Sequence, residues 1–196
     1  MAEWNDGMNN EAEQERGIFS RVFKTPLGKI RAAAWDNAIG GLWFFGQKYF
    51  PCFEDDFWLN KPDYPPFVLL ETWLKNYFSG KKPKMDIPLA PIGTGFQKAV
   101  WKKLLEIPYG QTTTYGTIAA QLNAEGTKAS AQAVGQAVGH NPISLLVPCH
   151  RVLGSGGRLT GYAGGLEKKY ALLELEGAVG IFPDFCPGGV FKQRRI

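Results

Sequence analysis

The most informative stretch of this 196-residue sequence is Ser144-Leu145-Leu146-Val147-Pro148-Cys149-His150-Arg151-Val152-Leu153. Its apolar run has the length of a buried strand and ends at a proline, so we predict a strand that delivers Cys149 onto a turn. An imidazole and a guanidinium follow the cysteine directly, and such neighbours favour the thiolate, which is the nucleophilic form. An isolated cysteine is more often a small buried apolar residue. The surrounding sequence therefore decides whether this one is reactive.

The composition is that of a globular protein with a substantial core. Hydrophobic residues make up 44% of the chain, and its length suits one compact domain or two small ones packed together. The sequence contains no run of about 18 apolar residues, the length that a membrane span needs. Its polar N-terminus does not resemble a secretory signal. Cys52, Cys149 and Cys186 are odd in number and far apart, which favours free thiols in a reducing compartment. We expect a cytoplasmic protein, or a nuclear one in a eukaryote.

Metal binding and charge narrow the function classes further. The two histidines, His140 and His150, are not clustered and no CxxC pair occurs, so we expect no metal site. Residues 1–90 carry 11 Lys/Arg against 12 Asp/Glu, and residues 91–196 carry 11 against 6, which gives −1 and +5 and sums to the net charge of +4. A basic C-terminal half is compatible with nucleic-acid binding but does not identify it.

The chain divides into segments of different pattern. We predict a polar tail at 1–16, an N-terminal α/β domain at 17–90 with a linker at about 81–91, a C-terminal domain at 92–178 and an extension at 179–196. The N-terminal domain begins with three strands, separated by turn residues, that form an antiparallel meander at 18–23, 29–35 and 38–45. A helix opens at Pro65-Pro66 and closes at Ser79-Gly80. The intervening residues 50–63 show no clean period.

The C-terminal domain is predicted to be mostly helical. Thr94 and Gln97 fit a capping box at the start of one helix, and Thr114 fits the cap of a short helix that contains Tyr115. After a turn with glycine, another helix runs from about Lys128 to Gly139. Two short helices joined by such a turn are a helix-turn-helix candidate.

The second of these helices carries almost entirely small side chains and glutamines. Two interpretations remain open. The helix packs closely against a neighbouring helix, or its small residues let it approach a nucleic-acid backbone while Gln132 or Gln136 reaches the bases.

Three further features are candidates for the site around Cys149. Asn141 ends the helix before Pro142 and either caps it or braces a nearby loop. The segment Gly161-Tyr162-Ala163-Gly164-Gly165 either forms a tight loop or turns its backbone N–H groups toward a ligand. A last helix has Leu166, Tyr170 and Leu173 on its buried side, and Glu176 follows near that face. The carboxylate is either a structural partner or the group that orients His150 in a Cys-His-acid relay.

These motifs together resemble the O6-alkylguanine-DNA alkyltransferases, also called methylated-DNA–protein-cysteine methyltransferases. The resemblance runs from about Phe96 to Gly177 and rests on these segments: Ile107–Gly110, Thr114–Gly116, Asn141–Ile143, Pro148–Arg151, Gly161–Gly165 and Glu174–Gly177. The N-terminal half is similar to the family's sheet-and-helix domain in pattern only. The resemblance implies an α+β fold, with a ribonuclease-H-like N-terminal antiparallel sheet with helix and a mostly helical, winged helix-turn-helix-like C-terminal domain that carries the active-site cysteine.

The resemblance also implies a mechanism. The protein would bind double-stranded DNA that contains O6-alkylguanine, flip the damaged base into a pocket, and transfer its alkyl group irreversibly to Cys149 in a single turnover. His150 would take the thiol proton through a water, Glu176 would orient His150, and Asn141 would brace the active-site loop. Tyr115 would help drive the flip and protonate the leaving guanine. No cofactor and no obligate protein partner are implied, and a monomer is expected; O4-alkylthymine is left open as a second substrate.

The remaining residues of the implied site fall into two sets. Those expected to contact DNA are Thr114, Tyr115, Ala131, Gln132, Gly135, Gln136 and Arg151. Those expected to line the substrate pocket are Val147, Pro148, Tyr162, Ala163 and Gly164. The sequence departs from the family at Gln132, where the family usually carries an arginine that enters the duplex and fills the gap left by the flipped base.

Two other functions compete with this interpretation. A DNA-binding regulator would use Cys149 as an alkylation or redox sensor, but such a protein does not require Tyr115, Asn141 and Glu176 together. A cysteine hydrolase would need an oxyanion hole and would turn over repeatedly.

Overall fold

The computed structural model describes residues 18–51 and 58–178. The predicted tail at 1–16, the extension at 179–196, Cys52 and Cys186 lie outside the described residues. The described chain contains a sheet with one helix followed by a mostly helical half, which confirms the predicted α+β class. No helix among the described residues is long and apolar enough to cross a bilayer.

The N-terminal sheet has the predicted meander and one additional strand. Strands β1 (Ile18–Thr25), β2 (Gly28–Trp35) and β3 (Ala38–Phe44) pair antiparallel in that order. Asp36 and Asn37 both adopt a positive φ, of 48° and 57°, which a two-residue hairpin turn requires and which these residue types tolerate. Strand β4 (Trp58–Asn60) pairs parallel to the start of β1. Its three residues are too few to show a period, so the strand was not predicted.

Helix α1 (Pro65–Phe78) packs on one face of the sheet. Two prolines open it, where their fixed φ suits the first turn and their missing N–H groups are not needed. Its buried side includes Phe67, Leu70 and Tyr77, which share the main core with strands β1 to β3. The opposite face of the sheet carries a smaller cluster centred on three tryptophans, Trp35, Trp43 and Trp58.

The predicted linker is fixed along the free edge of β3. Ile39 donates its backbone N–H to Pro88 O at 2.8 Å, and Ala90 donates to Ile39 O at 2.8 Å. Further along the same edge, Leu42 donates to Pro142 O and accepts from Ser144 N, both at 2.8 Å. The edge of β3 thus pairs with both the connecting segment and the chain that precedes Cys149, and this pairing joins the two halves.

The C-terminal half contains the predicted helix-turn-helix. Helix α2 (Gly95–Leu105) begins with the capping box at Thr94 and Gln97, and α3 (Tyr115–Ala124) is capped by Thr114. Helix α4 (Ala131–Gly139) begins later than predicted, because Ser130 accepts the hydrogen bond of Ala133 N and acts as its cap. Short strands β5 (Thr113–Thr114) and β6 (Val152–Leu153) pair parallel, and α5 (Leu166–Leu175) follows.

The prediction of a strand at Leu145 to Val147 is wrong. All three residues are buried, but they form a turn in which Leu145 has φ +70°. Their hydrogen bonds are local: Leu146 donates to Ser144 O, and Val147 donates to Ile143 O. A short apolar run indicates burial without specifying the backbone conformation, and here the buried segment is a turn. The chain continues into a single 3-10 turn at Cys149–Arg151.

The packing of the connecting segment can be tested by removing one side chain. Leu89 is fully buried, so Leu89→Ala should lower the free energy of unfolding by about 2–5 kcal/mol, the usual range for such a deletion. Lys84→Ala, an exposed position of the same segment, is the matched control and should change little. Urea unfolding of both variants measures the difference, and similar stabilities would contradict a fixed segment.

Candidate active site

Cys149 lies at the start of the 3-10 turn and is 4% exposed. The Asn141 amide lies against it, with Nδ2 at 3.1 Å from Sγ. The same Nδ2 donates to Val147 O at 2.9 Å, and Asn141 Oδ1 accepts from Ile143 N at 3.0 Å. Asn141 therefore hydrogen-bonds to both ends of the loop that leads into the cysteine.

The Cys149 thiol is neutral in this environment. Burial raises its pKa above the ordinary value, while the Asn141 hydrogen bond and the positive charge of Lys169 oppose that shift without overcoming it. The basic residues that follow the cysteine do not stabilise a thiolate, because both are engaged by another side chain, Glu176. A reaction at sulfur therefore needs a base that removes the proton as the new bond forms.

The ring of His150, the next residue in the chain, has one nitrogen that is bonded and one that is not. Its Nε2 lies 3.0 Å from Glu176 Oε1, and its Nδ1 is buried with no hydrogen-bond partner among the described residues. Complete burial lowers the pKa of His150, and the charges of Arg151 and Lys169 act in the same direction, against Glu176. The ring is therefore neutral at pH 7. Because the carboxylate accepts the Nε2–H, the Nδ1 lone pair is left to accept a proton.

Glu176 is the C-cap of α5 and receives hydrogen bonds from several elements. Arg151 binds it through two nitrogens, Nε to Oε2 and Nη2 to Oε1, each at 2.8 Å. Tyr77 from α1 donates its hydroxyl to Oε1 at 2.7 Å, and Gly110 N donates to Oε2 at 3.2 Å. Burial alone would raise the pKa of this carboxyl, but the bonds and charges of His150 and Arg151 outweigh it and hold the pKa well below its usual range.

These contacts do not fit the prediction that Arg151 contacts DNA. Its side chain is 11% exposed, and besides its two bonds to Glu176 it donates Nη1 to Ile107 O at 2.7 Å. The guanidinium is held inward because it neutralises a buried carboxylate, and a buried charge without a partner is costly. Its position therefore indicates a structural role.

A cavity of about 430 Å³ connects the thiol to solvent. The predicted residues that line it are Tyr115, Gln132, Gly135, Gln136, Cys149, Tyr162 and Ala163. Ala131 is exposed at the start of α4, and Thr114 caps α3 rather than lining the cavity. The predicted pocket residues Val147, Pro148 and Gly164 do not line this cavity. A side chain at Gly164 would meet the Tyr162 ring at 2.7 Å, so glycine is required for the ring to take its place.

Tyr115 is the first residue of α3 and stands beside the cavity. Its hydroxyl lies 3.4 Å from both Thr160 O and Gly161 O. Burial raises the pKa of this hydroxyl, and proximity to Cys149 acts in the same direction. The phenol is therefore protonated at neutral pH and is available as a proton donor.

Lys169 was not predicted as a site residue, and it is fully buried next to the segment that lines the cavity. Its Nζ donates to Thr160 O at 2.6 Å and to Gly161 O at 3.1 Å, so it holds the segment that faces Tyr115. Burial lowers the pKa of Lys169 to about 8, and a negative charge on Cys149 would oppose that shift. Its spacing from Leu166 and Leu173 was a usable signal, because it places the lysine on the buried side of α5. Leu166 and Tyr170 are only partly buried there.

Two other contributions come from the N-terminal half. The hydrogen bond from Tyr77 to Glu176 and the cavity lining by Lys48 and Tyr49 join segments that are distant in sequence. No local pattern indicates either one.

Among the described residues, no group of His, Cys, Asp and Glu side chains could hold a metal ion.

Replacing the buried carboxylate tests the electrostatics of the site. Glu176→Gln leaves Arg151 without its counter-charge, so the variant should lose about 3–5 kcal/mol of unfolding free energy at neutral pH. Because the folded pKa lies below the ordinary 4.5, the carboxylate's contribution is present above about pH 4.5 and is lost as the pH falls below it. Denaturant unfolding from pH 7 to pH 3 should show the difference between wild type and variant shrinking on acidification.

Glu71→Gln is the matched control for that series. Glu71 is a surface carboxyl that pairs with Arg21 and Lys75, and solvent screens such pairs. It should change stability little at any pH. An equal effect of the two substitutions would contradict the special role assigned to Glu176.

Comparison with known proteins gives one consistent answer. The family model of the 6-O-methylguanine DNA methyltransferase ribonuclease-like domain matches residues 18–91, and that of the DNA binding domain matches residues 95–178. A methylated-DNA–protein-cysteine methyltransferase of Mycobacterium bovis is 45% identical over 159 residues, which cover 81% of this chain and 92% of the relative. One from Methanosarcina acetivorans is 41% identical over 82% of this chain and 99% of its own.

Solved structures agree with the sequence matches. The crystal structure of Mycobacterium tuberculosis OGT in complex with DNA has a TM-score of 0.72 and 41% identity, and the match covers 82% of this chain and 93% of that one. A methyltransferase structure from Methanococcus jannaschii has a TM-score of 0.59 at 28% identity, over 80% of this chain and 93% of that one. The chain belongs to the 6-O-methylguanine DNA methyltransferase family.

Proposed function

We propose that this protein repairs DNA by direct, irreversible transfer of the alkyl group of O6-alkylguanine to Cys149. The observation that carries the proposal is the placement of the thiol at the end of a cavity beside the helix-turn-helix, with a neutral histidine next to it in sequence. A base inside a duplex cannot reach a buried sulfur, so the nucleotide must leave the stack and enter the cavity. Helix α4, whose side chains are small, is the element that faces DNA.

The chemistry is a displacement at the alkyl carbon. The Cys149 sulfur forms a bond to that carbon as the bond from carbon to guanine O6 breaks, and the thiol proton passes through a water to His150 Nδ1. Tyr115 donates its phenolic proton to a ring nitrogen of the leaving guanine, because a neutral base leaves more easily than an anion. Glu176 fixes the His150 tautomer, and Asn141 holds the loop that carries Cys149. The thioether is stable, so each molecule reacts once.

The same geometry bears on partners and cofactors. Side chains of this chain supply the nucleophile, the base and the proton donor, so the proposed reaction uses no metal or organic cofactor. We assign double-stranded DNA with O6-alkylguanine as the substrate, and we infer that a monomer without an obligate protein partner acts on it. The alternative of a sensor that uses Cys149 is not favoured, because relatives over most of this chain carry the methyltransferase name.

The transfer can be followed by mass. Wild-type protein mixed with a duplex oligonucleotide that contains O6-methylguanine should gain one methyl group on the Cys149 peptide, in stoichiometric amount, with guanine restored in the DNA. Cys149→Ser should gain none. Repeated turnover, or no gain in the wild type, would contradict the proposal.

The glutamine at position 132 leads to a second expectation. Gln132 is exposed on α4 at the cavity mouth, but its amide brings no charge and little surface for stacking on bases. Gln132→Arg should therefore bind duplex DNA more tightly and transfer the methyl group faster, as measured by single-turnover kinetics. Gln121→Arg on α3 adds the same charge at an exposed position away from the cavity and is the control. Equal rates in Gln132→Arg and wild type would show that residue 132 does not enter the duplex.

A further inference from the structure

The segment that follows β3 reaches the mouth of the cavity from the N-terminal half. Lys48 and Tyr49 line the same cavity as Cys149 and the α4 residues. They belong to neither the thiol machinery nor the helix-turn-helix, so the proposed reaction does not yet account for them.

Tyr49 is presented to solvent in a constrained conformation. The residue is 48% exposed, and its ring stacks on the His140 ring with centroids 4.2 Å apart and planes at 26°. Its φ is +61°, a region that residues with a side chain rarely adopt. Strain of this kind persists where surrounding contacts hold it, and it is concentrated at functional sites. A large exposed aromatic side chain held this way is a candidate ligand contact.

The segment is anchored to the active site through its neighbours. Lys48 donates its backbone N–H to Ala163 O at 2.9 Å, on the cavity wall. Gln47 Oε1 accepts from Phe44 N at 2.9 Å and from Ser144 Oγ at 3.3 Å. Position 49 is therefore held relative to both loops that surround Cys149.

Charge distinguishes this segment from the recognition helix. Helix α4 has no charged side chain in its sequence. In the part of the chain that the structure describes, Lys48 is the one lysine or arginine that lines the cavity, and its Nζ lies 4.8 Å from the centroid of the Tyr49 ring. An exposed ammonium group at the rim of a cavity suits a phosphate.

The depth of each group indicates which part of a nucleotide it meets. Both residues line the cavity, but Cys149 is 4% exposed and Tyr49 is 48% exposed, so Tyr49 lies nearer the mouth. A guanine whose O6 substituent reaches the sulfur must point its other end, the ribose and phosphate, toward the mouth. Groups at the mouth therefore meet the sugar and the backbone rather than the base.

We propose that Lys48, Tyr49 and His140 form a rim that holds the ribose and phosphate of the extrahelical nucleotide, with Tyr49 as the main contact. The proposal rests on the function above. Because α4 has no charged side chain, the rim stabilises the flipped state from the side of the cavity.

The test compares two substrates that differ in the part the rim contacts. Duplex DNA containing O6-methylguanine has the ribose and phosphate, and the free base O6-methylguanine has neither. The ratio of the methyl-transfer rate on duplex to that on free base should fall about fivefold or more in Tyr49→Ala, because the apolar face of the ribose is then no longer covered by the ring. Tyr49→Phe should retain most of the ratio.

Two further variants separate the role of the rim from folding. Tyr49→Gly removes the ring while relieving the left-handed strain, so it should fold and should still show the lower ratio. Phe45→Ala removes another exposed aromatic side chain, 42% exposed and outside the cavity, and is the matched control. Lys48→Gln should reduce the slope of the logarithm of the DNA-binding constant against the logarithm of salt concentration by about 1, the value for one lost phosphate contact.

The outcomes are distinct. The proposed rim contact would be contradicted if Tyr49→Ala and Tyr49→Gly left the ratio of the two methyl-transfer rates unchanged. An equal loss of rate on both substrates would contradict it as well. Failure of the wild type to acquire a methyl group from either substrate would instead overturn the proposed function.

Discussion

The rest of the site depends on the hydrogen bonds that the buried Glu176 carboxylate accepts. It is a buried anion that accepts hydrogen bonds from Arg151, His150, Tyr77 and Gly110. Arg151 supplies the counter-charge, and burial together with the charge of Arg151 keeps His150 neutral and able to accept a proton. The bond from Tyr77 extends the network into the N-terminal half. A single carboxylate thereby couples the packing of the two halves to the protonation state of the base.

The same arrangement explains why the cysteine is reactive only in context. Burial raises the pKa of Cys149, so the resting thiol is a poor nucleophile and is protected from chance alkylation and oxidation, which require thiolate and access. When a substrate fills the cavity, its alkyl carbon lies next to the thiol. The sulfur can then form its new bond while His150 removes the proton. For a protein that reacts once, this restraint matters more than a high intrinsic rate.

Much of the fold was predictable because local signals agreed with the final structure. The hairpin at Asp36-Asn37 and the caps at Thr94 and Thr114 formed where the sequence indicated. The errors have physical reasons. The apolar run Leu145–Val147 marks burial but not backbone conformation, and it forms a turn. Arg151 was predicted to contact DNA, but its side chain binds the buried carboxylate of Glu176. That partner lies 25 residues away in the sequence, and no local pattern links the two.

The departure at Gln132 and the rim at Tyr49 concern the same energetic problem. Flipping a nucleotide costs a few kcal/mol in lost stacking and pairing. Contacts that fill the gap left in the duplex can offset this cost, and so can contacts to the flipped nucleotide in the cavity. A recognition helix without charge contributes little at the gap, so stabilisation has to come from the cavity that receives the nucleotide. Lys48 and Tyr49 are placed there by the end of β3, whose edge also positions the chain before Cys149. The N-terminal sheet is thus more than a support, because it fixes both the nucleophile's loop and the mouth through which the base arrives.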